Sequence, residues 1–307
     1  MIKYACIPTR KAPLKKVPII INPISGHGIG MKLLPRIEAG LRELGFEPEV
    51  HVTRHQGDGR QAAADAPDDC PYVVCLGGDG TLNEVLNGVV PRPIPIAIFP
   101  TGTGNVFCKE IGLRCDVDCF LSLFKDGIVR SFDVGRADGR TFISVSGAGF
   151  NAEVVRRMRR THRGNMRMYE YVIPMFHTYF TYPFPTIKIE VDGEVVMEDS
   201  FLVEVGNTAS YGGPMQFTIH AQPDDGYLDV CAFRKTAHIK IFKHLLGTIL
   251  RLHLRYSDVA YFRGKTIKLS SSETVPTHVD GDENGSLPTV YTVMPLAAKV
   301  LVPRPKT

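Results

Sequence analysis

The sequence predicts a two-domain protein, in which an α/β domain over residues 1–130 precedes a mainly antiparallel, β sandwich-like domain over residues 131–307. The chain has 307 residues, which is longer than the roughly 100–200 residues of a typical single domain. Its first part alternates short apolar runs with helical patterns, which is typical of a parallel sheet with crossover helices. Its second part contains strand-like runs separated by turn signals, which indicates an antiparallel sheet.

In the first domain, each predicted strand passes to a helix through a loop. Apolar runs and helical periodicity predict strands at residues 17–22, 47–52, 72–76 and 94–99, and helices at residues 31–44, 61–66 and 82–90. Gly45 follows the first helix, where a residue with positive φ often ends a helix. Open α/β sheets bind ligands at the carboxyl ends of their strands, so this edge is the predicted binding site.

The second domain has the pattern of a sheet with two helical interruptions. Strand-like runs occur at residues 141–145, 186–191, 201–205, 227–233 and 265–269, and helical patterns at residues 152–160 and 239–254. Asp192-Gly193 separates two of these runs and predicts a hairpin, because both residue types tolerate positive φ. The apolar stripe of the second helix predicts that it packs on the core.

The composition is that of a globular, water-soluble protein. Apolar residues make up 44% of the chain and charged residues 22%, and no stretch approaches the roughly 20 apolar residues that span a bilayer. Seven scattered cysteines without a Cys-x-x-Cys pair favour reduced thiols and a cytoplasmic location. The net charge of +4 is too small to indicate nucleic acid, and no nucleic-acid partner is expected.

The strongest local signal is Gly77-Gly78-Asp79-Gly80-Thr81, between a predicted buried strand and a helix. Glycine lets the backbone approach a ligand closely because it has no Cβ. The N–H groups and positive dipole end of the following helix suit a phosphate. For this segment alone, a tight turn without a ligand is the alternative.

Two further loops and one threonine are predicted at the same sheet edge. The loop at residues 100–105 has the sequence Pro-Thr-Gly-Thr-Gly-Asn, the loop at residues 22–26 follows the first strand, and Thr53 ends the second strand. Turn formation alone does not explain this convergence, which predicts a ligand-binding crevice lined with backbone donors and hydroxyl groups. The pattern is neither a Walker loop, since no Gly-Lys-Ser/Thr follows, nor Gly-x-Gly-x-x-Gly.

The order of these motifs resembles that of the diacylglycerol kinase catalytic family, which includes sphingosine kinases, ceramide kinases and soluble bacterial lipid kinases. The segments that carry the resemblance are residues 22–26, 77–85, 100–105, 146–150, 211–215, 223–230 and 279–282. Because they follow family order over most of the chain, they are more specific together than any single motif. The resemblance implies an ATP-dependent lipid kinase with its nucleotide crevice between the two domains.

The resemblance implies that the crevice holds ATP with Mg²⁺. The implied nucleotide-binding residues are Asn22, Thr53, Gly77, Gly78, Asp79, Gly80, Thr81, Leu82, Asn83, Gly102 and Thr103. The implied Mg²⁺ ligands are the carboxylate of Asp225 and the carbonyl oxygens of Gln222 and Tyr227, and oxygen ligands suit this cation. Without the resemblance, the segment around Asp225 is an acidic turn.

Phosphoryl transfer to a hydroxyl needs an acceptor for the hydroxyl proton. The resemblance assigns this role to Asp280 and Asp282, with Asp79 as the next candidate. In an extended chain Asp280 and Asp282 would face the same way. Family members usually carry Glu where Asp282 stands, and residues 280–285 alone have the composition of a loop.

One further departure from the family concerns the lipid. Asn151 stands where the family usually has Asp, a residue linked in sphingosine kinases to recognition of the lipid head. Asn retains hydrogen bonding but lacks the charge that would pair with a sphingoid amine. The sequence therefore favours a neutral acceptor such as diacylglycerol.

A basic cluster suggests a membrane partner. Its members are Arg156, Arg157, Arg159, Arg160, His162, Arg163 and Arg167. Such a patch would attract anionic lipid, so we expect peripheral contact with the inner face of a membrane. A solvated basic helix without a partner is the alternative, and the sequence also leaves a homodimer open.

Two other functions stay open. NAD kinases and 6-phosphofructokinases also use a Gly-Gly-Asp-Gly loop, so a soluble-metabolite kinase of the NAD kinase type is the alternative enzyme. The departures at Asp282 and Asn151 raise the second alternative, a non-catalytic regulator that binds nucleotide or lipid.

Overall fold

The computed structural model describes residues 15–161, 172–212, 215–235 and 240–305. Its helices are α1 (Ile29–Glu43), α2 (Asp58–Ala64), α3 (Asp79–Val89), α4 (Val106–Glu110), α5 (Val117–Asp126), α6 (Phe150–Thr161), α7 (Val172–Thr181) and α8 (Lys240–Ile249). Its strands are β1 (Lys15–Ile21), β2 (Phe46–Val52), β3 (Val73–Gly77), β4 (Ile96–Pro100), β5 (Ile128–Ala137), β6 (Arg140–Phe142), β7 (Val145–Gly149), β8 (Ile187–Val191), β9 (Glu194–Gly206), β10 (Leu228–Arg234), β11 (Val259–Gly264), β12 (Thr266–Ser270), β13 (Pro276–Val279), β14 (Asp282–Ser286) and β15 (Thr289–Val302).

The first domain is built on a parallel sheet with strand order β2-β1-β3-β4. β3 and β4 are buried along their whole length, as expected for strands covered by helices on both faces. Leu34, Ile37 and Leu41 form the buried stripe of α1, and Gly45 after it has a φ of 85°. The predicted strands and helices of this domain are all present, with small shifts at their ends.

The second domain is mainly antiparallel. Its strands follow the order β14-β13-β7-β9-β8-β12-β15, and β10 and β11 continue from β9. The β8–β9 hairpin turns at Asp192 and Gly193, whose φ angles of 49° and 91° are those of a two-residue type I′ turn. The predicted hairpin and the predicted fold class are therefore confirmed.

The long strand β15 joins the two domains into one sheet. Its first part pairs with β12, and its C-terminal part pairs with β5 and, through Val300, with β4. Ala298, Val300 and Leu301 consequently lie in the core of the first domain. The boundary expected at residue 130 falls within β5, and the chain returns to the first domain near its C-terminal end.

The run at residues 141–145 is divided between two strands, whereas the sequence predicted one. The backbone amides of Ile143, Ser144 and Val145 donate to the carboxylate of Asp280 at 3.0–3.2 Å. Because this carboxylate binds consecutive amides, the chain turns from β6 to β7 at this point.

The helix predicted at residues 239–254 is shorter in the structure. α8 ends at Ile249, Arg251 has a left-handed φ of 59°, and a 3₁₀ turn follows at His253–Arg255. The helix packs on the core through Ile241 and Leu245, as predicted, while Leu246 and, just beyond the helix, Leu250 are exposed.

Candidate active site

Three loops meet at the carboxyl edge of the parallel sheet. The Thr101 amide donates to the Gly77 carbonyl oxygen at 2.9 Å, and the Thr101 hydroxyl donates to the Ser25 hydroxyl at 3.0 Å. A Cβ on Gly102 would lie 2.5 Å from the Cα of Gly78, closer than any side chain tolerates. Glycine at these positions therefore allows direct backbone contact between the loops that follow β3 and β4.

The first turn of α3 faces open space at this edge. Gly80 is exposed, and a Cβ built there meets no atom within 4 Å, whereas Thr81 and Leu82 are buried. Thr103 is exposed in the neighbouring loop. Because the first N–H groups of a helix have no intrahelical partner, this turn can offer donors to a phosphate.

Asn22 and Thr53 end the two neighbouring strands. The Asn22 side-chain oxygen accepts from the Ile24 amide at 3.1 Å, and the Thr53 amide donates to the Ile21 carbonyl oxygen at 2.9 Å. Both residues therefore lie at the sheet edge that carries the glycine loops, as the sequence predicted.

Asp79 holds two of these loops together. Its Oδ1 accepts from the Val106 amide at 2.7 Å, at the start of α4. A Cβ on Gly104 would come within 2.6 Å of its Oδ2. Burial raises the pKa of Asp79, and the amides of Val106 and Asn105 oppose this shift. The carboxylate is thus engaged with backbone groups of the adjacent loop.

Asn83 and Asn87 link α3 to the second domain. The Asn83 amide nitrogen donates to the Thr141 carbonyl oxygen at 2.9 Å and to Asp280 Oδ2 at 2.8 Å. The Thr141 amide donates to Asn87 Oδ1 at 2.8 Å. Asn83 is buried, so it lies at the interface of the two domains, behind the exposed turn at Gly80.

Asp280 lies in a turn, which corrects the extended geometry expected for residues 280–282. Asp280 and Gly281 have φ angles of 47° and 80°, and Val279 pairs with Asp282 across a two-residue turn. Both oxygens of the Asp280 carboxylate accept two hydrogen bonds, from the Asn83 side chain and three backbone amides. Burial raises the pKa of Asp280, and these hydrogen bonds oppose the shift.

Asp282 is held by Arg140 at the mouth of the same interface. Asp282 Oδ2 accepts from the guanidinium at 3.2 Å, and the same nitrogen lies 3.5 Å from Asn83 Oδ1. Asp280 and Asp282 therefore meet around Asn83 and Arg140, although a turn rather than strand alternation brings them there.

An apolar pocket opens in the second domain beside α6, α7 and α8. The space within it, including the part open to solvent, is about 620 Å³. Its walls include Val154, Met175, Leu202, Phe217, Phe233 and Leu245. A cavity with these walls suits a hydrocarbon chain.

One end of the pocket approaches the loops of the first domain. Met215 lines the pocket and pairs with Gly212. A Cβ on Gly212 would lie 3.8 Å from a methyl carbon of Val106, the first residue of α4. The pocket and the glycine loops are therefore separated by little more than one short chain segment.

Asn151 gives the pocket a polar wall. Asn151 lines the pocket and donates from its amide nitrogen to Glu204 Oε1 at 2.7 Å. Glu204 Oε2 lies 3.1 Å from His278 Nε2, and both side chains are fully buried. His278 precedes Asp280 by two residues on the chain, so these buried contacts lead from Asn151 in the pocket wall towards the domain interface.

Asp225, the expected carboxylate ligand of Mg²⁺, is engaged with other groups of the protein. Asp225 Oδ1 accepts from the Tyr227 amide at 3.1 Å, and its Oδ2 is paired with the Arg263 guanidinium. A guanidinium already neutralises this carboxylate. Within the described ranges, no three His, Cys, Asp or Glu side chains cluster closely enough to hold a metal ion.

The basic cluster is only partly described. Arg156 and Arg157 both form ion pairs with the buried Glu153, so one of their two positive charges is compensated within α6. His162, Arg163 and Arg167 lie outside the described residues, as do the side chains of Arg159 and Arg160.

Arg140, Glu204 and His278 were not among the residues predicted from the sequence. Glu204 does carry a signal, since it is a charged residue within the apolar run 201–205. No local sequence pattern marks Arg140 or His278, because their partners lie far away in the sequence.

Fold and site together define a two-domain protein with glycine-rich loops at one sheet edge and an apolar pocket. Two family models match it: the diacylglycerol kinase catalytic domain over residues 16–137, and the YegS C-terminal NAD kinase beta sandwich-like domain over residues 144–302. The chain belongs to the diacylglycerol kinase catalytic domain family and is a kinase of that family. The resemblance stated from the motifs is therefore confirmed.

Known relatives agree with this assignment. The diacylglycerol kinase of Staphylococcus saprophyticus is 30% identical over 89% of this chain and 91% of its own length, and that of Bacillus subtilis is 29% identical over 95% and 98%. A crystal structure from Bacillus anthracis, assigned as a diacylglycerol kinase, superposes with a TM-score of 0.77 at 25% identity and covers 98% of this chain and 99% of its own. Through the described part of the chain, no helix has the length and apolar character to cross a bilayer.

Proposed function

We propose that the protein is an ATP-dependent lipid kinase that phosphorylates the hydroxyl group of diacylglycerol or a related neutral lipid. The observation that carries this proposal is the junction between the apolar pocket and the glycine-rich edge. Asn151 in the wall of the pocket is linked through Glu204 to His278, and Asp280, two residues on, accepts from Asn83 of α3. An acyl chain in the pocket would thus direct its head towards the cleft that suits phosphate.

In the proposed reaction, the lipid hydroxyl oxygen forms a bond to the γ-phosphorus of ATP. The bond between that phosphorus and the β–γ bridging oxygen breaks, ADP leaves, and the hydroxyl proton passes to Asp282. Asp282 is favoured over Asp280, because all four hydrogen bonds on the Asp280 carboxylate are already made. Positioning and charge neutralisation dominate such transfers, and N–H groups at Gly78 and Gly80 could supply part of both.

The polar wall supports a hydroxyl acceptor. The Asn151 amide nitrogen donates to Glu204, so its side-chain oxygen is the atom left to accept a hydrogen bond from the lipid. A hydroxyl group can make this bond, whereas a neutral amide offers no charge to stabilise a sphingoid ammonium. This favours a neutral lipid, and diacylglycerol kinase is the printed name of the relatives reported above.

Several partners remain proposals. The family implies ATP, and Mg²⁺ bound with ATP would neutralise the phosphate charge. The ligand set Gln222, Asp225 and Tyr227 would require Arg263 to release Asp225. A cytoplasmic location with contact at the inner membrane face, and a homodimer, likewise stay predictions.

Transfer of labelled γ-phosphate from ATP tests the proposal. The acceptors are diacylglycerol, sphingosine and ceramide in mixed micelles, with NAD in solution, and chelation of Mg²⁺ should abolish transfer. We expect label in the phosphorylated diacylglycerol. Label in NAD would instead favour the metabolite kinase, and ATP binding without transfer to any acceptor would favour a regulator.

A further inference from the structure

Apolar side chains are concentrated on the outer faces of α7 and α8. Ile173 and Phe180 of α7 are 78% and 77% exposed, and Leu246 and Leu250, on and just after α8, are 56% and 55% exposed. Phe176, Phe242 and Ile249 are exposed beside them. Contiguous apolar surface of this kind on a water-soluble protein usually marks an interaction site.

The spacing places these side chains on one face of each helix. Residues 173, 176 and 180 recur at intervals of three and four on α7, and residues 242, 246 and 249 do so on α8. The two faces adjoin, because the rings of Phe176 and Phe242 have centroids 5.5 Å apart. We call the surface formed by Ile173, Phe176, Phe180, Phe242, Leu246, Ile249 and Leu250 the α7–α8 face.

The apolar pocket lies directly beside this face. Met175 and Tyr179 of α7 line the pocket, as do Ile241 and Leu245 of α8. Phe242 belongs to both surfaces, since it lines the pocket and is partly exposed. The hydrocarbon-like interior of the pocket is therefore continuous with the apolar exterior.

The charge around the face is positive. Lys243, Arg251 and Arg255 are exposed, and the Lys243 ammonium lies 4.0 Å from the centre of the Tyr256 ring. Residues 172–181 and 240–257 contain no Asp or Glu. A face of apolar side chains bordered by cations complements a bilayer that contains anionic lipid.

We propose that the α7–α8 face docks on the surface of an anionic bilayer and admits the lipid from there into the pocket. The proposal rests on the proposed function, because a lipid kinase must take its acceptor from a membrane. It assigns membrane contact to apolar side chains on α7 and α8 instead of the arginine cluster of α6. A second copy of the chain is a poorer occupant, because it would cover the α7–α8 face, with which the pocket is continuous, and separate the pocket from lipid.

The test compares the parent with Ile173→Ser/Phe180→Ser/Leu246→Ser/Leu250→Ser. These residues were not found to line the pocket. The matched control is Val195→Ser/Val290→Ser, which removes exposed apolar groups from strands of the second domain. Cosedimentation uses vesicles of phosphatidylcholine with or without phosphatidylglycerol, circular dichroism reports folding, and light scattering reports the oligomeric state.

We expect the α7–α8 variant to lose at least about tenfold in vesicle affinity, since full burial of even one such side chain is worth that factor. The control should bind like the parent, and phosphatidylglycerol should strengthen parent binding. Turnover of a short-chain, water-soluble diacylglycerol should stay within about twofold of the parent.

Unchanged vesicle affinity in a folded variant would overturn the proposal, as would a parent dimer that the substitutions convert into a monomer. Loss of vesicle binding in a protein that phosphorylates no lipid would uphold the docking face and refute the proposed kinase function. The experiment therefore distinguishes failure of the proposed docking face from failure of the proposed kinase function.

Discussion

Asp280 and Asp282 are neighbours in the sequence with different surroundings. The Asp280 carboxylate accepts from Asn83 and three backbone amides, and thereby holds the second domain against α3. Asp282 accepts from Arg140 at 3.2 Å, at the mouth of the same interface. We infer that Asp280 positions the domains and that Asp282 is the better candidate for proton acceptor.

Asp282→Asn should lower turnover by about 10²–10⁴-fold, the usual contribution of a general base. The amide oxygen can still accept from Arg140, so the loss would report the missing base and not a lost contact. ATP affinity, measured by calorimetry, should be unchanged. Asp282→Glu should retain activity, because it restores the side chain usual in the family. Turnover of Asp282→Asn within about threefold of the parent would exclude this role.

Asp280 should give protein stability a pH dependence of predictable sign. Because its pKa is raised in the folded protein, the folded state holds the proton more tightly than the unfolded chain, and ionisation costs folding free energy. The unfolding free energy of the parent minus that of Asp280→Asn should therefore fall as pH rises from the ordinary pKa of 3.8 through the raised value. Urea unfolding of both proteins at several pH values measures this difference. A difference that grows with pH would mean that the pKa is lowered.

Among the secondary-structure elements, a hairpin turn could be predicted from the sequence where both flanking strands showed an apolar, strand-like pattern. Asp192-Gly193 lies between two strand-like runs and was recognised as a hairpin. Asp280-Gly281 forms the same turn, but β14 is short, polar and mostly exposed, so no apolar alternation revealed it. The strand carried no burial pattern because its side chains meet solvent.

The glycine loop could be predicted from the sequence because close approach of the backbone to a ligand requires glycine. Gly80→Val should leave folding intact, since a Cβ there meets open space, and should remove ATP binding by filling the phosphate path. Gly80→Ala is the matched control, because it adds a Cβ without branching and should retain part of the affinity. Calorimetry with ATP measures both, and circular dichroism checks folding. Parent-like ATP affinity in folded Gly80→Val would refute the assignment.

At the scale of the whole molecule, the domain order and the shared loop edge followed from the sequence, whereas long-range pairs did not. Asn151, Glu204 and His278 form one buried chain of polar contacts. In the sequence, Asn151 and Glu204 are 53 residues apart, and Glu204 and His278 are 74 residues apart. Local periodicity contains no information about such partners. For the same reason, the sequence did not predict that β15 returns to the first domain.

We propose that a lipid held in the apolar pocket receives phosphate from ATP at the domain interface. Leu245→Trp fills the pocket, and Val195→Trp, at an exposed position on β9, is a control outside both the pocket and the α7–α8 face. The direct measurement is transfer of labelled γ-phosphate to long-chain diacylglycerol in mixed micelles by the parent and both variants. We expect labelled phosphatidate from the parent and Val195→Trp, and at least about a tenfold loss in Leu245→Trp with ATP affinity retained. Equal transfer by all three proteins, or label in NAD instead of lipid, would contradict it.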